Sequence, residues 1–319
     1  MQTLIDFDDA PVFALPVLDP VGAAVAEGML IEGPQGWGEF SPPPDADAAA
    51  LGRWLTAATE PGTIGWPDPV RGRVPVAVSV PAVGAARARA IVQAAGCGTA
   101  DVTVGGPAGM LADDIARVAA VRDALGSSGV IRCDAKGSWD PASAVNAIAA
   151  LEQAAGALEF VAQPCADLEQ TAWVRARVAV PIAADTHDAA DLEAVRKAAD
   201  IAVLRCGRLG GARRALRIAE LSGLPCVVVS DAVSSIGVAA GVALAGALPE
   251  LPFACALGTR LLFAGDLVAP VRSLIPVDGF LPVAPMPAAP AAEFLAQYTV
   301  TDRDRTQRWR EQLRAAIAE

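Results

Sequence analysis

Four short apolar runs in the middle of the chain each carry, near their C-terminal end, a residue placed to face a shared pocket. They are VIRCD with Asp134, LEFVAQP with Ala162, PIAADT with Asp185 and IAVLRC with Arg205. The steps between those four residues are 28, 23 and 20. Each step has room for one strand, one helix and two loops, so the spacing predicts successive βα units. Parallel strands joined this way present their C-terminal ends at one mouth, where barrel enzymes keep their chemistry.

The rhythm extends in both directions. PVAVSVPA reads as the first strand, followed by a helix over 85–95, ADVTVGG as the second strand, a helix over 110–125, and the third strand at 129–134. Asp140 before Pro141 is a helix start, because the carboxylate accepts from free N–H groups and proline suits the first turn. Helices over 168–177, 192–199, 212–222 and 237–248 complete the alternation, with GLPCVVVS and CALGT as further strands. Seven or eight such units predict an α/β fold, a parallel sheet closed into a TIM-like (β/α) barrel over 76–266. Before the rhythm begins, strand-like stretches at 11–16 and 28–38 and an Ala-rich amphipathic segment at 46–59 predict a small α+β unit over 1–75. After Asp266 proline becomes frequent, and the segment 267–319 ends in a charged helix over 302–319, expected to be solvated.

At 319 residues the chain is long enough for such a barrel and a smaller domain. Although 53% of residues are hydrophobic, polar residues, glycine or proline interrupt every apolar run before about 18 residues, so no membrane span is expected. The acidic start MQTLIDFDDA has neither the basic nor the apolar region of a secretion signal. A formal net charge of −11 without a basic cluster argues against a nucleic-acid partner. The six cysteines are scattered with no C-x-x-C pair and are expected as buried free thiols in a cytoplasmic protein. Cys133, beside Asp134, has outward parity and reads as core. Lys136 and Lys197 are the only lysines, against 23 arginines. An Arg in place of a Lys therefore carries little weight by itself.

The order of these runs, with IEGPQGWGEFSP near the N-terminus and LRIAELSGLP before the seventh strand, resembles the enolase superfamily. Within it the sequence is most similar to the short actinobacterial type of o-succinylbenzoate synthase, a menaquinone-pathway lyase that dehydrates a cyclohexadiene carboxylate. The resemblance implies that 1–75 is a capping domain over the barrel mouth and that 267–319 returns to it. It also implies Mg²⁺ on three carboxylates, a base that is the second Lys of a K-x-K on the second strand, and a facing Lys on the sixth. Such a metal stabilises the enediolate left when a weakly acidic proton beside a carboxylate is removed.

Set against that pattern, Asp134 and Asp185 match the first and third metal ligands, and Ala162 stands at the second, where E-Q-P reads Ala162, Gln163, Pro164. Thr186 replaces the acid that usually follows the third ligand. The K-x-K reads Asp101, Val102, Thr103, and Arg205 takes the facing lysine's place. Lys136 stands where an Asn is common. The loop 21–27 lacks the family's usual Arg. Mg²⁺ is therefore expected to bind weakly or not at all. Strand alternation puts Asp101, Thr103, Arg132 and Asp134 on the inward side. Three acids (Asp101, Asp134, Asp185) then offset three bases (Arg132, Lys136, Arg205). Arg132, Ser230, Gly258 and Thr259 are candidate substrate-binding residues. His187 reads as a rim residue, with a general acid or base as its other reading, and Gly210–Gly211 before a helix is a weak anion-cradle signal. The expectation is a catalytically degenerate homologue able to bind a small carboxylate. The alternatives are an active synthase or related lyase using Lys136 as base, and a non-catalytic binding or regulatory protein. Oligomeric state stays open.

Overall fold

The structure, a computed structural model, describes residues 5, 7–18, 24–105 and 111–319. The reading of the extreme N-terminus, part of the 21–27 loop and the expected start of the 110–125 helix lie outside the described residues. Three antiparallel strands, β1 (Val12–Pro16), β2 (Val25–Gly33) and β3 (Gly36–Phe40), form a meander in that order. Helix α1 (Ala48–Thr63) starts where Asp47 accepts from Ala50 N at 2.7 Å. It lies so close to β3 that a Cβ on Gly38 would collide with the Ala58 carbonyl oxygen.

The βα units follow: β4 (Arg73–Pro75), β5 (Ala77–Val80), α2 (Ala85–Ala95), β6 (Thr99–Thr103), α3 (Leu111–Leu125), β7 (Val130–Asp134), α4 (Pro141–Ala155), β8 (Val161–Ala162) and α5 (Leu168–Arg175). Next come β9 (Ile182–Asp185), α6 (Leu192–Ala198), β10 (Ile201–Leu204), α7 (Cys206–Leu209), α8 (Ala212–Ser222), β11 (Cys226–Val228) and α9 (Ser235–Ala247). Strands β5 to β11 form one parallel sheet in chain order. Its two edges meet through the segment at Cys255 and Ala256, which bridges Val76 on one side and Val229 on the other, both in parallel sense. That segment is the eighth stave and closes the barrel.

Period-two alternation sorts the side chains. Val78, Val102, Ile131, Cys133, Val161 and Ile182 face outward into a buried cluster with residues of the surrounding helices, while Phe160, Ala162, Ala183, Ile201, Val203 and Val227 pack inside the barrel. All six cysteines are free and buried, as their apolar settings predict.

The C-terminal segment holds more structure than its sequence announced, and one expectation about it needs correction. It contains β12 (Phe280–Pro282), which pairs with β4, and α10 (Ala292–Tyr298), neither of which the proline-rich sequence announced. The last helix, α11 (Arg303–Ala318), is not solvated on all sides. It buries Trp309, Leu313 and Ala316, and the Trp309 ring meets Phe40 edge-on at 6.2 Å. Its charges mask a one-sided apolar stripe, and Glu27 on β2 pins it by accepting from Arg305 and from Trp309 Nε1 at 2.8 Å.

Carboxylates of the N-terminal unit also grip barrel helices end-on. Glu39 accepts from Ser234 N and Gly237 N, both at 3.1 Å, at the start of α9. Glu60 accepts from Ala212 N at 2.6 Å and Arg213 N at 2.9 Å at the start of α8. The Gly210–Gly211 turn thus does cradle an anion, and the anion is the protein's own Glu60.

Candidate active site

A cavity of about 520 Å³ opens at the C-terminal ends of the barrel strands, lined by Thr103, Asp134, Lys136, Asp185, Arg205 and Arg208 among others. Asp134 ends β7 and Asp185 ends β9. Arg205 follows β10 with parity that turns it inward. Its side chain is about 7% exposed. Its Nε donates to Asp185 Oδ1 at 3.0 Å, Nη2 lies 3.8 Å from Asp134 Oδ2, and Nη1 lies 3.5 Å from Asp231 Oδ1. A single guanidinium thus holds three carboxylates from three strand ends.

Two further cations complete the cluster. Lys136 adopts φ +53°, uncommon for a residue with a Cβ, and in this turn its backbone N–H donates to Asp134 Oδ1 at 2.9 Å while Nζ lies 2.6 Å from Oδ2. Arg208 on α7 donates to Asp231 at 2.9 Å and lies 3.5 Å from Asp185 Oδ2. Burial pushes the Asp185 carboxyl up, but the attraction of Arg205 and Arg208 outweighs it and holds the group below the ordinary aspartate range. Burial lowers Arg205 in turn, and Asp185, Asp231 and Asp134 more than reverse that, so its charge is permanent.

The mouth holds the three acids read from the sequence, Asp101, Asp134 and Asp185, and a fourth, Asp231, but only two of the three bases, Lys136 and Arg205, with Arg208 as the third. Arg132 is inward as expected, yet it lies below the cavity and lines none of it. It is fully buried, pairs with Asp101 at 3.0 Å and Glu159 at 3.6 Å, and stacks over Phe160 at 5.0 Å. Its position as a substrate-binding residue is therefore corrected: alternation gives the face of a strand, not the height within the barrel. Arg208 takes the place of Arg132 in the count, and Asp231 is added to it, while Asp101 lines the cavity as expected and is paired with Arg132 beneath it. The sequence did hold a signal for each, since Asp231 follows Ser230 at the end of the seventh strand and Arg208 lies three residues past Arg205.

Gly258 also lines no part of the cavity. A Cβ there would stand 2.9 Å from the Ala77 carbonyl oxygen, so this glycine permits close packing on β5. Ser230 and Thr259 do reach the cavity. The Ser230 hydroxyl is spent on the Asp231 carbonyl at 2.9 Å, whereas the buried Thr259 Oγ1 has no hydrogen-bond partner. His187 is exposed. The Cys133 thiol, pushed far up chiefly by burial, lies in the outer core.

Superfamily members generally use Mg²⁺, an ion that demands near-octahedral oxygen ligation. The residues here do not fit it. Ala162 offers a methyl group packed with Phe160 and Val203. The oxygens of Asp134 and Asp185 face Arg205, Lys136 and Arg208. Among the described residues no three His, Cys, Asp or Glu side chains are grouped to hold a metal ion.

A parallel barrel with an α+β unit at its mouth, and carboxylates at its third and fifth strand ends, defines the enolase type of enzyme fold. The family described as Enolase C-terminal domain-like matches residues 84–287, and that described as Enolase N-terminal domain-like matches 12–61. The chain belongs to the enolase superfamily and, within it, to the o-succinylbenzoate synthase family. It is 50% identical over 276 residues to the o-succinylbenzoate synthase of Thermobifida fusca, covering 85% of this chain and 86% of that protein. To that of Mycolicibacterium smegmatis it is 46% identical over 275 residues, covering 85% and 84%. Among solved structures, muconate lactonizing enzyme from Pseudomonas fluorescens superposes with a TM-score of 0.81 at 21% identity, covering 94% of this chain and 100% of that one, a likeness of fold. No helix among the described residues is long and apolar enough to cross a membrane.

Proposed function

We propose that this chain is an o-succinylbenzoate synthase homologue of a menaquinone-forming cell whose barrel mouth binds a small carboxylate without dehydrating it. The observation that carries this reading is the pair of groups at the reacting position: Thr103 at the end of β6 and Arg205 facing it across the cavity. A threonine hydroxyl abstracts a carbon-bound proton only when a stronger base takes its own proton. Asp134, its neighbour in register, is already committed to Lys136 and Arg205. A guanidinium does not abstract protons at neutral pH. Lys136 is the one lysine at the cavity, and its Nζ is engaged by Asp134 Oδ2 at 2.6 Å.

The test measures dehydration of the family's cyclohexadiene carboxylate at saturating Mg²⁺ in the wild type, Ala162→Glu, Thr103→Lys, and both changes combined with Arg205→Lys. Base and metal act on one transition state and are non-additive, so turnover is expected only in the combined variant. Wild-type turnover that survives Thr103→Ala but not Lys136→Met would overturn the reading in favour of a lyase with Lys136 as its base.

A further inference from the structure

We propose that Arg205 is a built-in replacement for the divalent cation at the barrel mouth, which makes the mouth a metal-independent site for a carboxylate ligand. The inference deepens the functional reading above and rests on it for the class of ligand.

Its first support is charge. Asp134, Asp185 and Asp231 are balanced by Arg205, Arg208 and Lys136 at 2.6 to 3.8 Å. Asp101, the fourth acid lining the cavity, is paired with the buried Arg132 at 3.0 Å, so the cluster of Asp134, Asp185 and Asp231 is neutral without an ion. A divalent cation entering between Asp134 and Asp185 would bring two positive charges beside a guanidinium that cannot shed its proton. Arg205 would have to leave, giving up the three carboxylates and the Ser230 carbonyl oxygen that now hold it. The second support is packing. The Ala162 methyl completes an apolar cluster inside the barrel, and a carboxylate there would be desolvated against Phe160 and Val203.

The third support is spare donor capacity. Arg208 lines the cavity and keeps a buried Nε–H with no partner, and the buried Thr259 Oγ1 beside the same cavity is also unpartnered. Lys136 has a side chain 56% exposed and three N–H donors, with one close carboxylate oxygen. Donors without acceptors, on cations already fixed by ion pairs, suit an anion. The ligand therefore meets protein cations where a metal would otherwise bridge it.

Mn²⁺ binding followed by electron paramagnetic resonance tests the replacement in the unmodified protein. The wild type is expected to leave the free-ion signal unchanged, while Ala162→Glu combined with Arg205→Ser gains affinity of about tenfold or more by restoring charge to the cage. Stoichiometric Mn²⁺ binding by the wild type, lost in Asp134→Asn, would overturn the proposal. In the second arm, o-succinylbenzoate is titrated in EDTA and in Mg²⁺, with melting temperature as readout. Equal shifts in the two buffers, reduced in Arg208→Ala, are expected. A shift only with Mg²⁺ overturns the replacement. No shift in either buffer, with Mn²⁺ still excluded, sinks the carboxylate-binding reading and leaves the replacement of the ion standing.

Discussion

Buried acids are satisfied in opposite ways in two regions of this molecule. At the barrel mouth Asp185 is met by whole charges, Arg205 and Arg208. At the seam between the N-terminal unit and the barrel, Glu39 and Glu60 are met by the backbone N–H groups at the starts of α9 and α8, and Glu39 also by the hydroxyls of Ser234 and Ser41. The outcomes differ in sign. Asp185 titrates below its ordinary range, because attraction to two guanidinium groups exceeds the cost of burial. Burial raises Glu39 and Glu60, and their hydrogen bonds, joined at Glu60 by the charge of Arg213, only reduce the effect. Two guanidinium groups paired with Asp185 overcome its desolvation, whereas backbone dipoles and neutral donors, joined at Glu60 by the Arg213 charge, offset only part of it at the seam.

The largest expected effect would break the comparison at the mouth. Arg205→Ala leaves three carboxylates with two half-exposed cations, and removing one partner of a buried pair costs about 3–5 kcal/mol. Urea unfolding should show this as a lower midpoint at unchanged slope. A midpoint like the wild type's would mean that the guanidinium compensates nothing.

A smaller loss is expected at the seam. Glu39→Gln keeps the size of the side chain but turns an amide toward N–H donors, at a cost of about 1–3 kcal/mol. A loss as large as that of Arg205→Ala would show that helix N-termini hold an acid as firmly as a guanidinium does.

The pH dependence sharpens the contrast. Glu39 and Glu60 have folded-state values raised above the ordinary 4.5, so their contribution is complete below that pH and is lost as pH rises through the folded values. Asp185 is depressed, so its contribution is present above 3.8 and is lost as pH falls through the folded value. Unfolding midpoints followed from about pH 3 to about pH 8 should therefore peak in mild acid. Glu39→Gln should flatten the neutral limb and Asp185→Asn the acid limb. A Glu39→Gln profile parallel to the wild type's over the neutral limb would contradict the seam's sign.

The smallest effect belongs to Lys136→Met. Its ion pair with Asp134 is half exposed, and such pairs contribute about 0.2–1 kcal/mol. Loss of o-succinylbenzoate binding with little change in stability would separate its role toward the ligand from that of Arg205 in the fold.

Much of this architecture is written locally. Runs of four to eight apolar residues at steps of 28, 23 and 20, between amphipathic helices, determine the barrel, because strand and helix periods are properties of neighbouring residues. The same locality exposes Ala162, Thr103 and Arg205 at the positions where they matter, and the inward parity of Arg132. Tertiary structure alone decided the rest. How deep Arg132 sits depends on strand stagger around the closed barrel, which no single strand encodes. Asp231 and Arg208 join the mouth because α7 turns immediately after β10 and the seventh strand end lies beside it. The Gly210–Gly211 cradle is filled by Glu60, about 150 residues earlier in the chain. The last helix hides its apolar stripe only because α1 and Phe40 are there to receive it. Face and period come from the chain's local order. Depth, partner and counter-charge come from contacts between segments far apart in it, and here those contacts set what the site holds.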